Sequence, residues 1–357
     1  MAADFGFIRL LNPVDAPRFV PGPSAVGIEI TKRCQLRCHH CFNDSGPEHG
    51  QELPLPLIER TLDEMGIWGA NQIRLSGGEP TLHSQLGEIL DACAIRGIAI
   101  TLNSHGVLSD ATLARLLASP VARFIISLDG LEAAHERVRG EGTFHRAVAT
   151  CRRLCAAGKA VTIACHLGRH NTRDVAGLAA LAAELGADLK LTPLRPVGRI
   201  LAKDAAILPD AKDYLGVIRQ VSRLRLAHPH IRILADFDIL DARNEPFAVT
   251  DALAACGAGR IMVSIAATGQ VYPCAFFVTP DHRFSAGNLH RRSLREIWRD
   301  SPVFEPFRVH TKAPACQACG HYRRRCAGGC PAIACFRLGD LDALDPTCFA
   351  HLLEPSR

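Results

Sequence analysis

The chain places Cys34-x3-Cys38-x2-Cys41 about thirty residues from its start. Thiols this close have no sensible disulfide partner in one another, but they can converge on one metal centre. A cubane 4Fe–4S cluster normally takes four thiolates, and three are offered here. One iron is then open to an outside ligand, as an open position marks catalytic rather than structural metal sites. The same thiols could instead form a zinc knuckle or a redox pair. A second array follows far downstream, at Cys256, Cys274, Cys316, Cys319, Cys326, Cys330, Cys335 and Cys348. Thiolates suit iron–sulfur clusters and zinc alike, so a zinc ribbon is the alternative for that array.

The elements that must hold these residues follow from periodicity. Ala25–Ile30 alternates as a strand does, which puts the first three cysteines on the loop after it. Gln72–Leu75, Ile98–Leu102, Phe124–Leu128, Val161–Cys165 and Leu189–Thr192 read as further strands. Pro56–Met65, Gln85–Ile95, Asp110–Leu117, Phe144–Ala156 and Val175–Leu185 are amphipathic segments between them. Alternation of this kind predicts βαβ units and a parallel sheet, and six units are too few for a closed eight-fold barrel. Active sites of such folds lie at the carboxyl ends of the strands. Ser76-Gly77-Gly78-Glu79-Pro80, Asn103-Ser104-His105-Gly106 and Ser127-Leu128-Asp129-Gly130 all fall there. Cys93, Cys151, Cys155 and Cys165 fall within core helices or strands and read as packing.

With 357 residues and an apolar fraction of 48%, the chain can bury one large domain and a smaller one. No apolar run is long enough for a membrane span, and the N-terminus lacks the layout of a secretory signal. Fifteen cysteines without such a signal, clustered at ligand spacings, point to metal in a reducing cytoplasm. The net charge of +5 is mild, and Arg323-Arg324-Arg325 lacks the aromatic interleaving of a nucleic-acid surface. The expected organisation is an N-terminal extension (1–23), an α/β core (24–235), a connector (236–255) and a cysteine-rich C-terminal domain (256–357).

The CxxxCxxC spacing, followed by Gly77-Gly78-Glu79-Pro80, resembles the signature of the radical S-adenosylmethionine (SAM) enzymes. The downstream array resembles their SPASM extension, with six residues rather than five between Cys319 and Cys326. Leu194-Arg195-Pro196, Cys256-Gly257-Ala258-Gly259-Arg260 and Cys319-Gly320-His321-Tyr322 look most like the branch containing the mycofactocin and haem-pathway maturases. The resemblance implies a partial, TIM-like (β/α)6 barrel followed by a small SPASM domain. It implies a 4Fe–4S cluster on Cys34, Cys38 and Cys41 and two auxiliary clusters. Cys256, Cys274 and Cys330 would serve the first of these, and Cys316, Cys319, Cys326 and Cys348 the second. Cys335 is a candidate for the fourth ligand of the first auxiliary cluster, or else a buried hydrophobe.

Gly77, Gly78, Glu79 and Pro80 would receive the methionine part of SAM. Asn103, Ser127 and Asp129 would face it, and Arg139 would reach its carboxylate; turn chemistry and a surface cation are the plain alternatives for Asn103 and Arg139. Where that family usually has an aromatic residue before the third cysteine, this chain has His40, whose ring could stack in its place. The implied chemistry is one-electron cleavage of SAM to methionine and a 5′-deoxyadenosyl radical, which takes hydrogen from a C–H bond.

For substrate, a ribosomally made short precursor peptide is favoured, to be cross-linked, dehydrogenated or decarboxylated. A small molecule such as a tetrapyrrole side chain or a sugar is the alternative, with Arg195 and Arg199 binding its acid. A non-enzymatic electron carrier is the outside reading, which the Gly-Gly-Glu-Pro turn argues against. Fewer than thirty-five residues precede Cys34, so a separate leader-peptide-binding protein is expected. A flavodoxin or ferredoxin would donate electrons, and neither nucleic acid nor membrane is an expected partner.

Overall fold

The computed structural model describes residues 21–200, 205–237, 256–308, 312–322, 326 and 328–353. Residues 1–20 of the expected extension and 238–255 of the expected connector lie outside them. The chain alternates β1 (Ala25–Thr31), α1 (Leu55–Ile67), β2 (Gln72–Gly77), α2 (Leu86–Ile95), β3 (Ala99–Ser104), α3 (Asp110–Leu117), β4 (Arg123–Ser127) and α4 (Glu132–Arg139). It goes on through α5 (Thr143–Ala156), β5 (Ala160–Leu167), α6 (Val175–Leu185), β6 (Asp188–Pro193), α7 (Ala211–Ala227) and β7 (Ile233–Ala235). The six expected strands are all present, and β7 adds a seventh that its three residues hardly announce.

Strands β8 (Met262–Ile265), β9 (Gln270–Tyr272) and β10 (Gly287–Asn288) come next. Helices α8 (Leu294–Asp300), α9 (Glu305–Arg308), α10 (Pro314–Gln317) and α11 (Pro331–Leu338) complete the described elements. One sheet runs β10-β9-β8-β1-β2-β3-β4-β5-β6-β7. Its order is linear, so the barrel is open. Every neighbouring pair from β8 through β1 to β7 is parallel, while β8–β9 and β9–β10 are antiparallel. The cysteine-rich part of the chain therefore extends the same sheet: Val26 pairs with Val263 and Ile28 with Ile265.

Alternation sorts the two faces. Ile28, Ile30, Leu75, Leu102, Phe124, Ile126, Ile163, Leu189 and Leu191 point to one face and join α1, α2, α3, α5, α6 and α7 in one apolar core. Burying each such side chain contributes about 1.5–3 kcal/mol, so the strand parity is strongly set. The residues between them face the other way and, Ile125 and Ala164 apart, are largely polar: Arg74, Thr101, Asn103, Arg123, Ser127, Thr162, His166, Lys190 and Thr192. A closed barrel fills its interior with branched apolar layers; this inner face is built to hold something polar.

Glu29 occupies that inner face on β1 and is buried. Burial pushes its carboxyl up from 4.5 to about 7, against the pull of Asn43 and Lys32. A carboxyl raised in this way stabilises the fold fully below about pH 4.5, and that contribution is lost as pH rises through about 7. The thermal stability of the wild type should therefore fall between about pH 5 and about pH 8 by an amount worth about 3 kcal/mol more than that of Glu29→Gln. Parallel melting-temperature curves for the two proteins over that range would refute the assignment.

Candidate functional site

The loop from Cys34 to Ser45 hangs from the end of β1 and is held from several sides. Cys34 N donates to Gly46 O at 3.2 Å, Cys41 N to Cys38 O at 3.3 Å and Asp44 N to Cys41 O at 3.4 Å. Burial first of all pushes the Cys34 thiol up to about 12, and the neighbouring Cys38 and Cys41 add to that rise. Two backbone amides point at sulfur, Leu36 N at Cys34 Sγ (3.4 Å) and Ser45 N at Cys41 Sγ (3.3 Å). Amides aimed at sulfur suit thiolates that carry a metal.

The Gly-Gly-Glu-Pro turn closes over this loop. Gly78 N donates to Thr31 O and Glu79 N to Arg33 O, both at 2.8 Å. A Cβ at Gly77 would stand 2.3 Å from Thr31 O, and one at Gly78 2.3 Å from Arg33 O. The glycines thus let the end of β2 lie directly on the backbone that leads into Cys34. Pro80 opens a short 3-10 turn, Pro80–Leu82. The Glu79 carboxylate is buried and accepts from Thr81 N (3.2 Å), Thr81 Oγ1 (2.8 Å), Ser104 Oγ (2.9 Å) and His105 N (3.1 Å). His105 Nε2 lies 3.2 Å from the same carboxylate but is not aligned as a hydrogen bond. In this arrangement Glu79 joins the β2 turn to the β3 turn. Asn103, next to that turn, has a buried Oδ1 with no hydrogen-bond partner, as a side chain awaiting a ligand would. Ser127 is half-buried at the end of β4 on the same inner face.

Asp129 is the most connected of the expected residues. It is fully buried, and Arg139 Nε reaches it at 2.5 Å, His40 Nε2 at 2.9 Å and His166 N at 2.7 Å. Burial works to raise its carboxyl, but Arg139 and then His40 override this and hold it well below the usual carboxylate range. His40 is itself pushed down to about 4 by burial, so its contact to Asp129 is a neutral imidazole donating a hydrogen bond. Arg139, at the end of α4, also brings Nη1 to 4.0 Å from Cys38 Sγ. His166 was not singled out by the sequence; its parity on β5 was the available signal. Its ring sits 6.0 Å from that of His40, tilted rather than stacked.

Two arginines are placed differently from the expectation that they bind a substrate acid. Arg199 pairs with Asp44 at 2.8 Å and donates to Cys38 O (2.6 Å) and Ser45 O (2.7 Å), clamping the cysteine loop. Gly198, at φ +61°, makes that clamp possible, because a Cβ there would lie 2.2 Å from Phe42 O. Arg195 donates from Nε to Cys330 Sγ at 3.3 Å and stacks 3.9 Å over the Phe276 ring. In both cases the nearest polar partner belongs to the protein.

The downstream cysteines fall into two groups. Cys256, Cys274 and Cys330 are mutually close, and burial pushes Cys256 up to about 12. Burial raises the Cys274 thiol too, against the pull of the Phe276 amide, of Arg195 and of Arg74 from the inner face of β2. Cys316, Cys319, Cys326 and Cys348 make the other group, and burial pushes Cys348 up to about 11. The amide two residues on points at sulfur for Cys256, Cys274, Cys326 and Cys348. This repeats the arrangement at Cys34. Residues 323–325, where the longer spacing falls, lie outside the described residues. Cys335 is buried on α11 among Ala258, Phe277, Phe307 and Ala332, in a cluster against which Cys256, Cys274 and Cys330 also pack. Cys93, Cys151 and Cys165 are fully buried in the main core.

Residues 28–182 match the family described as the Radical SAM superfamily, and residues 256–320 match SPASM, an iron–sulfur cluster-binding domain. Mycofactocin maturase MftC of Mycobacterium ulcerans is 33% identical over 91% of this chain and 88% of its own length. PqqA peptide cyclase of a Methylobacterium species is 32% identical over 92% of this chain and 86% of its own. Among solved structures, Streptococcus suis SuiB bound to precursor peptide SuiA superposes with a TM-score of 0.75 at 20% identity, covering 91% of this chain and 75% of SuiB. Native anSMEcpe with bound AdoMet gives 0.74 at 17% identity, covering 92% of this chain and 94% of that one. These structures share the fold. No helix among the described residues is long and apolar enough to cross a membrane.

Gly198→Ala should force the segment after β6 off Phe42 and cost about 2 kcal/mol, seen as a melting temperature lower by several degrees. Arg199→Ala should also lower the iron retained by the reconstituted protein. A Gly198→Ala protein as stable as wild type would refute the close contact.

Proposed function

Because the chain belongs to the radical SAM superfamily and carries a SPASM domain, we propose that it is a peptide maturase. It would oxidatively modify a short ribosomally made precursor peptide by cross-linking, dehydrogenation or decarboxylation. What carries the reading is that relatives at 32–33% identity, among them one named for a peptide cyclisation, align over more than nine-tenths of the chain. Enzymes of this family work with 4Fe–4S clusters and SAM, and so does this one.

Cys34, Cys38 and Cys41 would hold the SAM-binding cluster. Cys256, Cys274 and Cys330 would hold the first auxiliary cluster, and Cys316, Cys319, Cys326 and Cys348 the second. When bound, cluster and SAM supply a hydrogen-abstracting radical by one-electron cleavage of a C–S bond. The chain's own part is positioning. Gly77, Gly78 and Pro80 seat the cysteine loop against the strand ends, and Glu79 fixes the β3 turn that presents Asn103. Asn103 Oδ1 and Ser127 are left to meet SAM. Asp129 and Arg139 would act at one remove, Asp129 by fixing Arg139 and Arg139 by lying beside Cys38. The polar inner face would receive the substrate. Electrons would come from a flavodoxin- or ferredoxin-like donor. Arg195 and Arg199, which the small-molecule reading would use to bind an acid, both donate to groups of the protein.

Anaerobic turnover with SAM, reductant and the short peptides encoded beside the gene tests this. High-resolution mass spectrometry should show loss of two hydrogens or of a carboxyl group, in step with 5′-deoxyadenosine release. SAM cleavage with every peptide unchanged would transfer the proposal to a small molecule. Cys34→Ala, Cys38→Ala or Cys41→Ala should each abolish 5′-deoxyadenosine formation, whereas Cys348→Ala should leave some uncoupled cleavage and stop product. Wild-type product yield from Cys348→Ala would remove the auxiliary role.

A further inference from the structure

The segment Leu194–Arg199 leaves β6 and touches two of the three cysteine groups. Arg199 clamps the Cys38–Ser45 loop, and Arg195 turns toward Cys330. Arg195 is pinned in place by three contacts. Its Nε lies 3.3 Å from Cys330 Sγ, its Nη1 donates to Pro193 O at 3.1 Å, and its guanidinium lies 3.9 Å over Phe276. Phe276 in turn meets Phe42 edge-on, with ring centroids 5.7 Å apart. Phe42 follows Cys41 directly, and Phe276 stands two residues after Cys274. Arg195, Phe276 and Phe42 thus form a continuous chain of contacts from one thiol group to the other.

A guanidinium stays charged under all protein conditions. A hydrogen bond and a positive charge beside a ligand sulfur favour the more negative, reduced state of a cluster, and so raise its potential. Net oxidation of a C–H substrate gives up a hydrogen atom, one electron and one proton, and the electron needs an acceptor. We propose that Arg195 is a positioning residue that sets the reduction potential of the first auxiliary cluster, making it the acceptor of that electron. The proposal rests on the reading that Cys256, Cys274 and Cys330 hold that cluster.

The test is redox potentiometry followed by electron paramagnetic resonance on the full-length, anaerobically reconstituted protein. Cys330→Ala identifies the signal of the first auxiliary cluster by its loss. Arg195→Gln, at full iron content, should shift that one signal to lower potential by at least tenfold in the reduction equilibrium, about 59 mV for one electron. The other signals should stay in place. Arg195→Lys, which keeps the charge but loses the planar fork, should give a smaller shift. An intact cluster at unchanged potential in Arg195→Gln overturns the proposal while sparing the ligand set. If Arg195→Gln loses the cluster, Arg195→Lys decides: a shifted potential supports the proposal, and a wild-type potential or a lost cluster makes Arg195 merely structural. Retention of every signal in Cys330→Ala overturns the ligand reading beneath it.

Discussion

A carboxylate with no exposed surface must be paired or it will be protonated, and Asp129 is in that position at the centre of this molecule. Its charge is met by Arg139 from the end of α4, by His40 from the cysteine loop and by the backbone of His166 on β5. One buried charge thereby ties together the loop after β4, a helix, a strand and the loop bearing Cys38. Losing either the acid or the arginine would leave the other as an uncompensated buried charge, which is far more costly than losing a surface pair. The first cysteine group keeps its shape because this network cannot give way piecemeal.

The same logic recurs at the other two groups. Buried thiols resist ionisation, as the raised values of Cys34, Cys256 and Cys348 show, and several thiolates side by side repel. Each group has at least one cation buried against it. Arg139 lies beside Cys38 and Arg195 beside Cys330. Burial raises the Cys316 thiol, and the fully buried Lys312, anchored to Leu341 O at 2.8 Å, works against that rise. Together with the amides aimed at sulfur, these cations make sites suited to negative clusters.

The open sheet makes room for chemistry between the groups. Its apolar parity is spent on the helices, and its other face carries Arg74, Asn103, Ser127, Lys190 and Thr192. Lys190 pairs with Asp236 at 3.2 Å, and Thr192 donates to the same carboxylate at 3.1 Å. Burial raises the Asp236 carboxyl, but Lys190 and then Arg195 pull it below its ordinary range. That array stands near Arg195, on the side of the sheet away from the helices.

Much of this was legible in the residues alone. Strand and helix periods follow from local alternation, so six strands and five of the helices between them could be placed within a few residues, while α4 was missed. Ligand spacing within one loop is equally local, which is why Cys34, Cys38 and Cys41 stand out unaided. The division of the later cysteines into two groups came from resemblance, and the fold brings the same two sets together. Tertiary structure alone decided which partner each charge takes. Arg195 and Arg199 read as free cations because Cys330 lies 135 residues and Cys38 161 residues away along the chain. His166 and Asp129 meet across 37 residues, and β8 reaches the edge of β1 from the far end of the chain. Local periodicity reports which face a side chain takes; which charge it must neutralise depends on what the folded chain buries beside it.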